Sequence, residues 1–271
     1  MKATVVVDNI ENDNVRGEWG LCIYIEYGDV NILLDTGASK LFSENANKIG
    51  LPLEKINYAV LSHAHYDHAN GMSEFFEKNK SAKFYLREST AENCYAKKWI
   101  FRKYIGIPKA ILKNYSDRIV FASGDYKLCD GVYLIPHKTA GLEEIGRREM
   151  MYQRQGIKMV PDNFSHEQSL VFETGKGLVI FNSCSHGGAV NIINEVSSTF
   201  PDKKVYGIIG GFHLFNKPDK EIRELAEKIK ETGIQYVCTG HCTKNRAYSI
   251  LKEELGDIVH QFHVNMVMEF E

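Results

Sequence analysis

"LSHAHYDHANG", Leu61 to Gly71, sets three histidines and an aspartate within six consecutive positions, His63 to His68. The chain has 10 histidines in 271 residues, so three together with Asp67 among them ask for a specific use. A polar surface loop would account for one imidazole more readily than for three. The preceding "NYAVLS" reads as a short apolar strand, and the following "GMSEFFEKNK" as a helix. The cluster therefore begins at the carboxyl end of a strand, where open α/β sheets gather their ligands.

The same grammar extends outward in both directions. "ATVVVD" reads as a strand, and "GLCIYIEYGDVNILLD" as a hairpin turning at Gly28-Asp29 with Leu21, Ile23 and Ile25 on one face. "SKLFSENANKIG" reads as a helix stopped by Gly50. In the last third, "GLVIFNS", "KVYGIIGG" and "IQYVCTG" are strands. "GGAVNIINEVSSTF", "PDKEIRELAEKIKETG" and "TKNRAYSILKEELG" are the helices between and after them. Alternating strands and helices predict sheets covered by helices. Nothing like a linker divides the chain, so residues 1–271 are expected to form one domain. Residues 84–165 are less regular and are read as an insertion or lid. Within them "CYAKKWIFRKY" reads as an amphipathic helix with a solvated basic face, in preference to a substrate lid. "RREMMYQRQGIKMVP" reads as a flap or small satellite core.

Charge is nearly balanced, 33 basic against 35 acidic residues, which argues against nucleic acid or a membrane surface as partner. The opening "MKATVVVDNI" is too briefly apolar for a signal peptide, and no run approaches the ~18 apolar residues of a membrane span. Six irregularly spaced cysteines do not make a disulfide framework. The expectation is a cytoplasmic chain with reduced thiols.

His63, His186 in "NSCSHGG", His213 in "GGFHLF" and His241 in "TGHCTK" each follow an apolar strand, which brings them to one rim. His63 and His65, two apart on extended backbone, can face one ion, while Asp67 and His68 face a neighbouring position. Imidazole and carboxylate suit zinc, and also iron, manganese or nickel. Two such ions lower the pKa of bound water towards ~7, so hydroxide is present without a protein base. His213 is read either as a proton donor or substrate contact, or as a structural hydrogen-bonding residue. Gly187 and Gly188 open a helix whose N–H groups could cradle a phosphate or simply be capped. Lys244, at another helix start, favours an anionic substrate. His166, His260 and His263 lack supporting context. Glu167 and Gln168 carry no assigned role.

"HAHYDH" matches the H-x-H-x-D-H signature of the metallo-β-lactamase superfamily, and "LLDTG" resembles its companion motif. "GLVIFNSCSHGG" and "TGHC" follow in that superfamily's order, so the resemblance spans nearly the whole chain. It implies an αββα sandwich, two packed mixed sheets flanked by helices, with a dinuclear centre at the sheet edge. "LSHAHYDHANGM", "SCSHGGAVNI", "GGFHLF" and "GHCT" most resemble the branch holding dihydropterin–(ribofuranosyl)aminobenzene-phosphate synthases and uncharacterised hydrolases. Carried over, His63, His65, Asp67, His68, His186 and His241 become ligands of two divalent ions, zinc foremost. Asp35 of "LLDTG" orients ligands; Asp67 and, from its own place after a strand, His213 are the catalytic candidates. Cys184 stands about where many members have a bridging aspartate, and is read as a thiolate ligand or a buried bystander. His137 in "LIPHKTAG" resembles a third-histidine loop and could replace His186, or be a satisfied surface histidine.

The expected function is metal-dependent hydrolysis of a phosphorylated or anionic small molecule by metal-bound hydroxide. Two alternatives stand beside it: pterin-linked transfer of the synthase type, and a non-catalytic metal-binding sensor. Redox relatives carry glutamate at the position of His65, which weighs against that chemistry.

Overall fold

Leu21, Ile23 and Ile25 are fully buried, as their alternation predicts, and they face apolar residues of a second sheet. The structure, a computed structural model, describes residues 1–12 and 14–271. Its first stretch holds β1 (Lys2–Val7), β2 (Cys22–Tyr27), β3 (Val30–Leu34), α1 (Leu41–Lys48), β4 (Tyr58–Val60), α2 (Tyr66–Ala69), α3 (Met72–Lys78) and β5 (Lys83–Arg87). The middle holds β6 (Cys94–Lys98), β7 (Phe101–Tyr104), α4 (Ile111–Asn114), β8 (Ile119–Ala122), β9 (Tyr126–Cys129), β10 (Val132–Pro136), α5 (Leu142–Arg148), β11 (Met151–Gln155) and β12 (Lys158–Pro161). The last part holds β13 (Gln168–Thr174), β14 (Gly177–Phe181), α6 (Ala189–Thr199), β15 (Val205–Gly210), α7 (Asp219–Glu231), β16 (Tyr236–Thr239), α8 (Lys244–Leu255), β17 (Val259–Gln261) and β18 (Val267–Glu269).

Two seven-stranded sheets result, ordered β18-β1-β2-β3-β4-β5-β8 and β17-β16-β15-β14-β13-β10-β9. Each is mixed. β3, β4, β5 and β8 run parallel, as do β14 to β17, while the remaining neighbours are antiparallel. Between the sheets lies one apolar layer, with Ile23, Ile32 and Val60 from the first meeting Phe172, Phe181 and Ile209 from the second. A second layer under α1 and α3 includes Phe42, Phe75 and Phe84. A third, under α6, α7 and α8, includes Ile192, Ile222 and Leu251. The order helix, sheet, sheet, helix is the αββα sandwich, each sheet burying both faces.

The middle of the chain corrects two expectations. Residues 84–165 are not one insertion, because β5, β8, β9 and β10 within them belong to the two large sheets. "CYAKKWIFRKY" is not a helix but the β6–β7 hairpin, joined by β11 and β12 into a third, four-stranded sheet. Its pairing partner lies some fifty residues away along the chain, which local periodicity does not register. Lys97 to Lys103 are all exposed, Trp99, Ile100 and Phe101 at the tip included.

Candidate metal centre

The parallel strands of both sheets end at one rim. His63 follows β4, and His186, His213 and His241 follow β14, β15 and β16. Glycine makes the close approach of those strand ends possible. A Cβ on Gly210, at φ 147°, would lie 1.8 Å from the Asn182 carbonyl oxygen, and one on Gly211 would strike the Cys242 sulfur. Asp35, Phe164, Ser185, His213, His241 and Lys244 all take positive φ there. Such left-handed residues cost of order 1–3 kcal/mol each and persist where surroundings over-determine them.

His63, His65, His68, His186 and His241 are buried at the rim, with Asp67 among them. The outer nitrogens of His63, His68 and His241 are tied back. His68 Nδ1 lies 2.7 Å from Asp35 Oδ2, and His63 Nδ1 lies 2.8 Å from Ser62 Oγ, which donates to the same carboxylate. His241 donates its backbone N–H to Asp8 at 2.8 Å, and its Nδ1 is 3.4 Å from Asn9 Oδ1. The inner nitrogens then converge: His63 Nε2 and His186 Nε2 are 3.3 Å apart. Asp67 Oδ2 is 3.9 Å from His68 Nε2 and 3.6 Å from His241 Nε2. Two nitrogens on one tetrahedral zinc ion, at ~2.0–2.1 Å each, stand about 3.3 Å apart. His65 Nε2 and His241 Nε2 are buried without a hydrogen-bond partner among the described residues. Unpaired lone pairs facing one another in this way cost energy unless an ion takes them, so the residues fit divalent metal.

Electrostatics agree. Burial, together with the neighbouring imidazoles, holds His63 and His186 well below the usual histidine range and His65 at about 3. Burial likewise lowers His241 to about 3. A neutral imidazole is the form that binds metal. His68 differs: burial lowers it, but Asp67 and Asp35 outweigh that and raise it to about 8. Cys184 and Cys242 lie beside them with sulfurs 3.5 Å apart.

Several functional positions are corrected. His137 neither replaces His186 nor lies free on the surface. Its side chain is buried between Glu167 and Glu195, at 2.5 and 3.0 Å. Against burial, the hydrogen bonds that its ring donates to these two carboxylates raise it to about 9. Gly187 and Gly188 do not offer free N–H groups: Glu167 Oε2 accepts from Gly187 at 3.0 Å, and the Ser185 carbonyl accepts from Gly188. Gly187 is glycine because the His137 ring lies against it; a Cβ would sit 2.2 Å from Cε1. Lys244 rests its Nζ 4.5 Å from the Trp19 ring and lines a hollow together with His241 and Asn9.

His166 and Glu167, without a role in the sequence reading, are buried parts of the site. His166 Nδ1 accepts the Ala64 N–H between His63 and His65, and Nε2 lies 3.1 Å from Asp162. Glu167 Oε1 accepts the backbone N–H of His186 at 3.0 Å. The one available signal was three polar residues, His166 to Gln168, directly before a buried strand. Trp19 packs on His241 with ring centroids 5.1 Å apart, and nothing in the sequence singled it out.

The histidines open onto a pocket of about 150 Å³ walled by Trp19, Tyr66, Ile105, Met151 and Phe215. The His213 and His186 rings, tilted at 49° with centroids 4.5 Å apart, separate it from a second pocket of about 160 Å³ reaching Arg148 and Lys217. The largest hollow, beside α1, touches no histidine; it is an open surface groove.

Residues 18–191 match a family model described as the Metallo-beta-lactamase superfamily. A Methanocaldococcus jannaschii protein named 7,8-dihydropterin-6-methyl-4-(beta-D-ribofuranosyl)-aminobenzene-5'-phosphate synthase is 25% identical over 248 residues, 88% of this chain and 84% of that protein. Among solved structures, Tm1679, titled a metal-dependent hydrolase of the beta-lactamase superfamily, superposes with TM-score 0.86 at 26% identity, covering 99% and 98% of the two chains. Zinc-bound PqqB from Methylobacterium extorquens shares the fold alone, with TM-score 0.59 and 9% identity over 99% and 100%.

Proposed function

The chain belongs to the metallo-beta-lactamase superfamily, and from that membership we propose a dinuclear metal-dependent enzyme acting by hydrolysis on a phosphorylated or otherwise anionic small molecule. One observation carries the reading: the inner nitrogens of histidines from both sheets meet beside Asp67 at the mouth of a pocket. All but that of His68 are on rings held neutral by burial, and two of them are unpartnered among the described residues. His63, His65 and His186 would hold one ion, and Asp67, His68 and His241 the other. Divalent ions there supply Lewis acidity and lower the pKa of water towards ~7. Asp35, Ser62, Asp8 and Asn9 fix the imidazole orientations, so little rearrangement is needed on binding. His213 would give a proton to a leaving group, a role supported by its ring lining the pocket and by Nδ1 having no partner among the described residues. Aromatic walls exclude water from the reacting atoms. The chain is read as cytoplasmic and its partner as an anionic small molecule, with neither nucleic acid nor membrane as partner. Balanced charge supports the absence of a nucleic-acid partner.

A second reading, pterin-linked transfer, is favoured by the flat aromatic faces of Trp19, Tyr66 and Phe215 and by the name of the Methanocaldococcus relative. The test is a panel of phosphodiesters, thioesters, lactams, and a pterin diphosphate with a ribosyl-aminobenzene acceptor, run with zinc, manganese or iron. Turnover should vanish with chelator and in His65→Ala or Asp67→Ala. His213→Ala should lower the rate while leaving the ions bound. Product identity separates hydrolysis from transfer, and tightly held metal without any turnover would replace both with a sensor.

A further inference from the structure

His166, Glu167 and Gln168 lead into β13, and none is more than 1% exposed. The strand goes on with buried Leu170, Val171 and Phe172, so packing alone would be served by apolar residues here too. Each of the three instead grips a loop that carries metal-facing histidines. His166 Nδ1 accepts the Ala64 N–H at 3.1 Å, between His63 and His65. Gln168 donates its backbone N–H to the Ser62 carbonyl and its Nε2 to the Leu61 carbonyl, both at 2.8 Å. Glu167 turns to the loop after β14, where Oε1 accepts the His186 N–H and Oε2 the Gly187 N–H, both at 3.0 Å.

The grip is itself braced. Because His166 Nδ1 accepts, its Nε2 carries the hydrogen and donates it to Asp162 at 3.1 Å. Asp162 also accepts from Gln153 of β11 and from the Phe164 N–H, each at 2.7 Å. His137 meets the Glu167 carboxylate from behind. Among the described residues no hydrogen bond joins the three to His68 or His241, which Asp35, Asp8 and Asn9 hold instead.

We propose that His166, Glu167 and Gln168 are positioning residues, a clamp that sets the separation of the two ligand loops before any ion arrives. It acts on the His63, His65 and His186 donor group and leaves the other ion position alone. This rests on the dinuclear reading above.

Metal-free chain reports the clamp without turnover, through amide hydrogen exchange resolved by NMR. Glu167→Ala should speed exchange at His186 and Gly187 by about tenfold or more, and His166→Ala should do so at Ala64. The His241 amide, given to Asp8, should exchange as in wild type in both. Zinc competition against a chelator should then show one ion weakened ~10–100-fold in each variant and the other held as before. His166→Asn, which keeps an acceptor near the place of Nδ1, should restore both readouts. Should the alanine variants fail to fold, Glu167→Gln carries the test, since it keeps one acceptor oxygen of two and should still speed exchange at His186 or Gly187. Unchanged exchange in the variants, or two ions weakened equally, would overturn the clamp while leaving the dinuclear enzyme standing. A wild-type chain that binds no zinc would end the dinuclear reading itself, and the clamp's role with it.

Discussion

Asp35 concentrates the residue-scale design into one carboxylate. Fixed at φ 61°, it accepts the Ser62 N–H and O–H and meets His68 Nδ1, each at 2.7 Å. Asp35→Asn keeps the shape but loses the charge that orients His68, so metal affinity should fall ~10–100-fold in a chelator competition. His137 makes a different prediction. Its folded pKa is raised to about 9 from an ordinary 6.5, so the stability it contributes is full below about 6.5 and lost as pH rises through about 9. Melting temperature should decline across that window, and His137→Gln should flatten the decline. A slope unchanged in the variant would show that His137 does not carry the charge that links its two carboxylates. The metal-facing residues were legible because three histidines and an aspartate in six positions have few other uses. His137, His166 and Glu167 were not, since each acts through the backbone or ring of a residue distant in sequence.

Among the elements, the β6–β7 hairpin departs furthest from its sequence. Apolar residues at positions 99–101 and 104 among basic ones satisfy a helical period as well as a turn. The outcome is decided by β11, which pairs with β6 from Met151↔Ala96 to Gln153↔Cys94. Lys103 is directly opposite Ala96, and Lys98 is two residues beyond Ala96 on the same side. Ala96 lines the pocket, so these two lysines rise from its edge. Charge reversal, Lys98→Glu with Lys103→Glu, should raise KM for an anionic substrate several-fold, with kcat and metal content unchanged. Stability should move by less than about 0.5 kcal/mol, as surface changes do. An unaltered KM would remove the hairpin from substrate recognition.

Across the whole molecule, the two sheets meet twice, once through the apolar layer between them and once through the rim. His63 to His68 come from the end of the first sheet, and Cys184, His186 and His241 from the second. Strand and helix grammar carried this architecture, because apolar strands and capped helices repeat in both halves. The third sheet was hidden, being built from segments some fifty residues apart. On the proposed function, ions held jointly by the two halves would oppose their separation. Chelation should therefore lower the melting temperature, by the equivalent of ~2.7 kcal/mol for metal at a hundred times its dissociation constant.

Metal stoichiometry, measured by elemental mass spectrometry on zinc-reconstituted and desalted chain, bears most directly on the claim that distant histidines assemble a two-ion centre. Two zinc ions per chain are expected, with about one remaining in His186→Ala and about one in His241→Ala. A wild-type chain that retains none, or variants that keep the full complement, would contradict it.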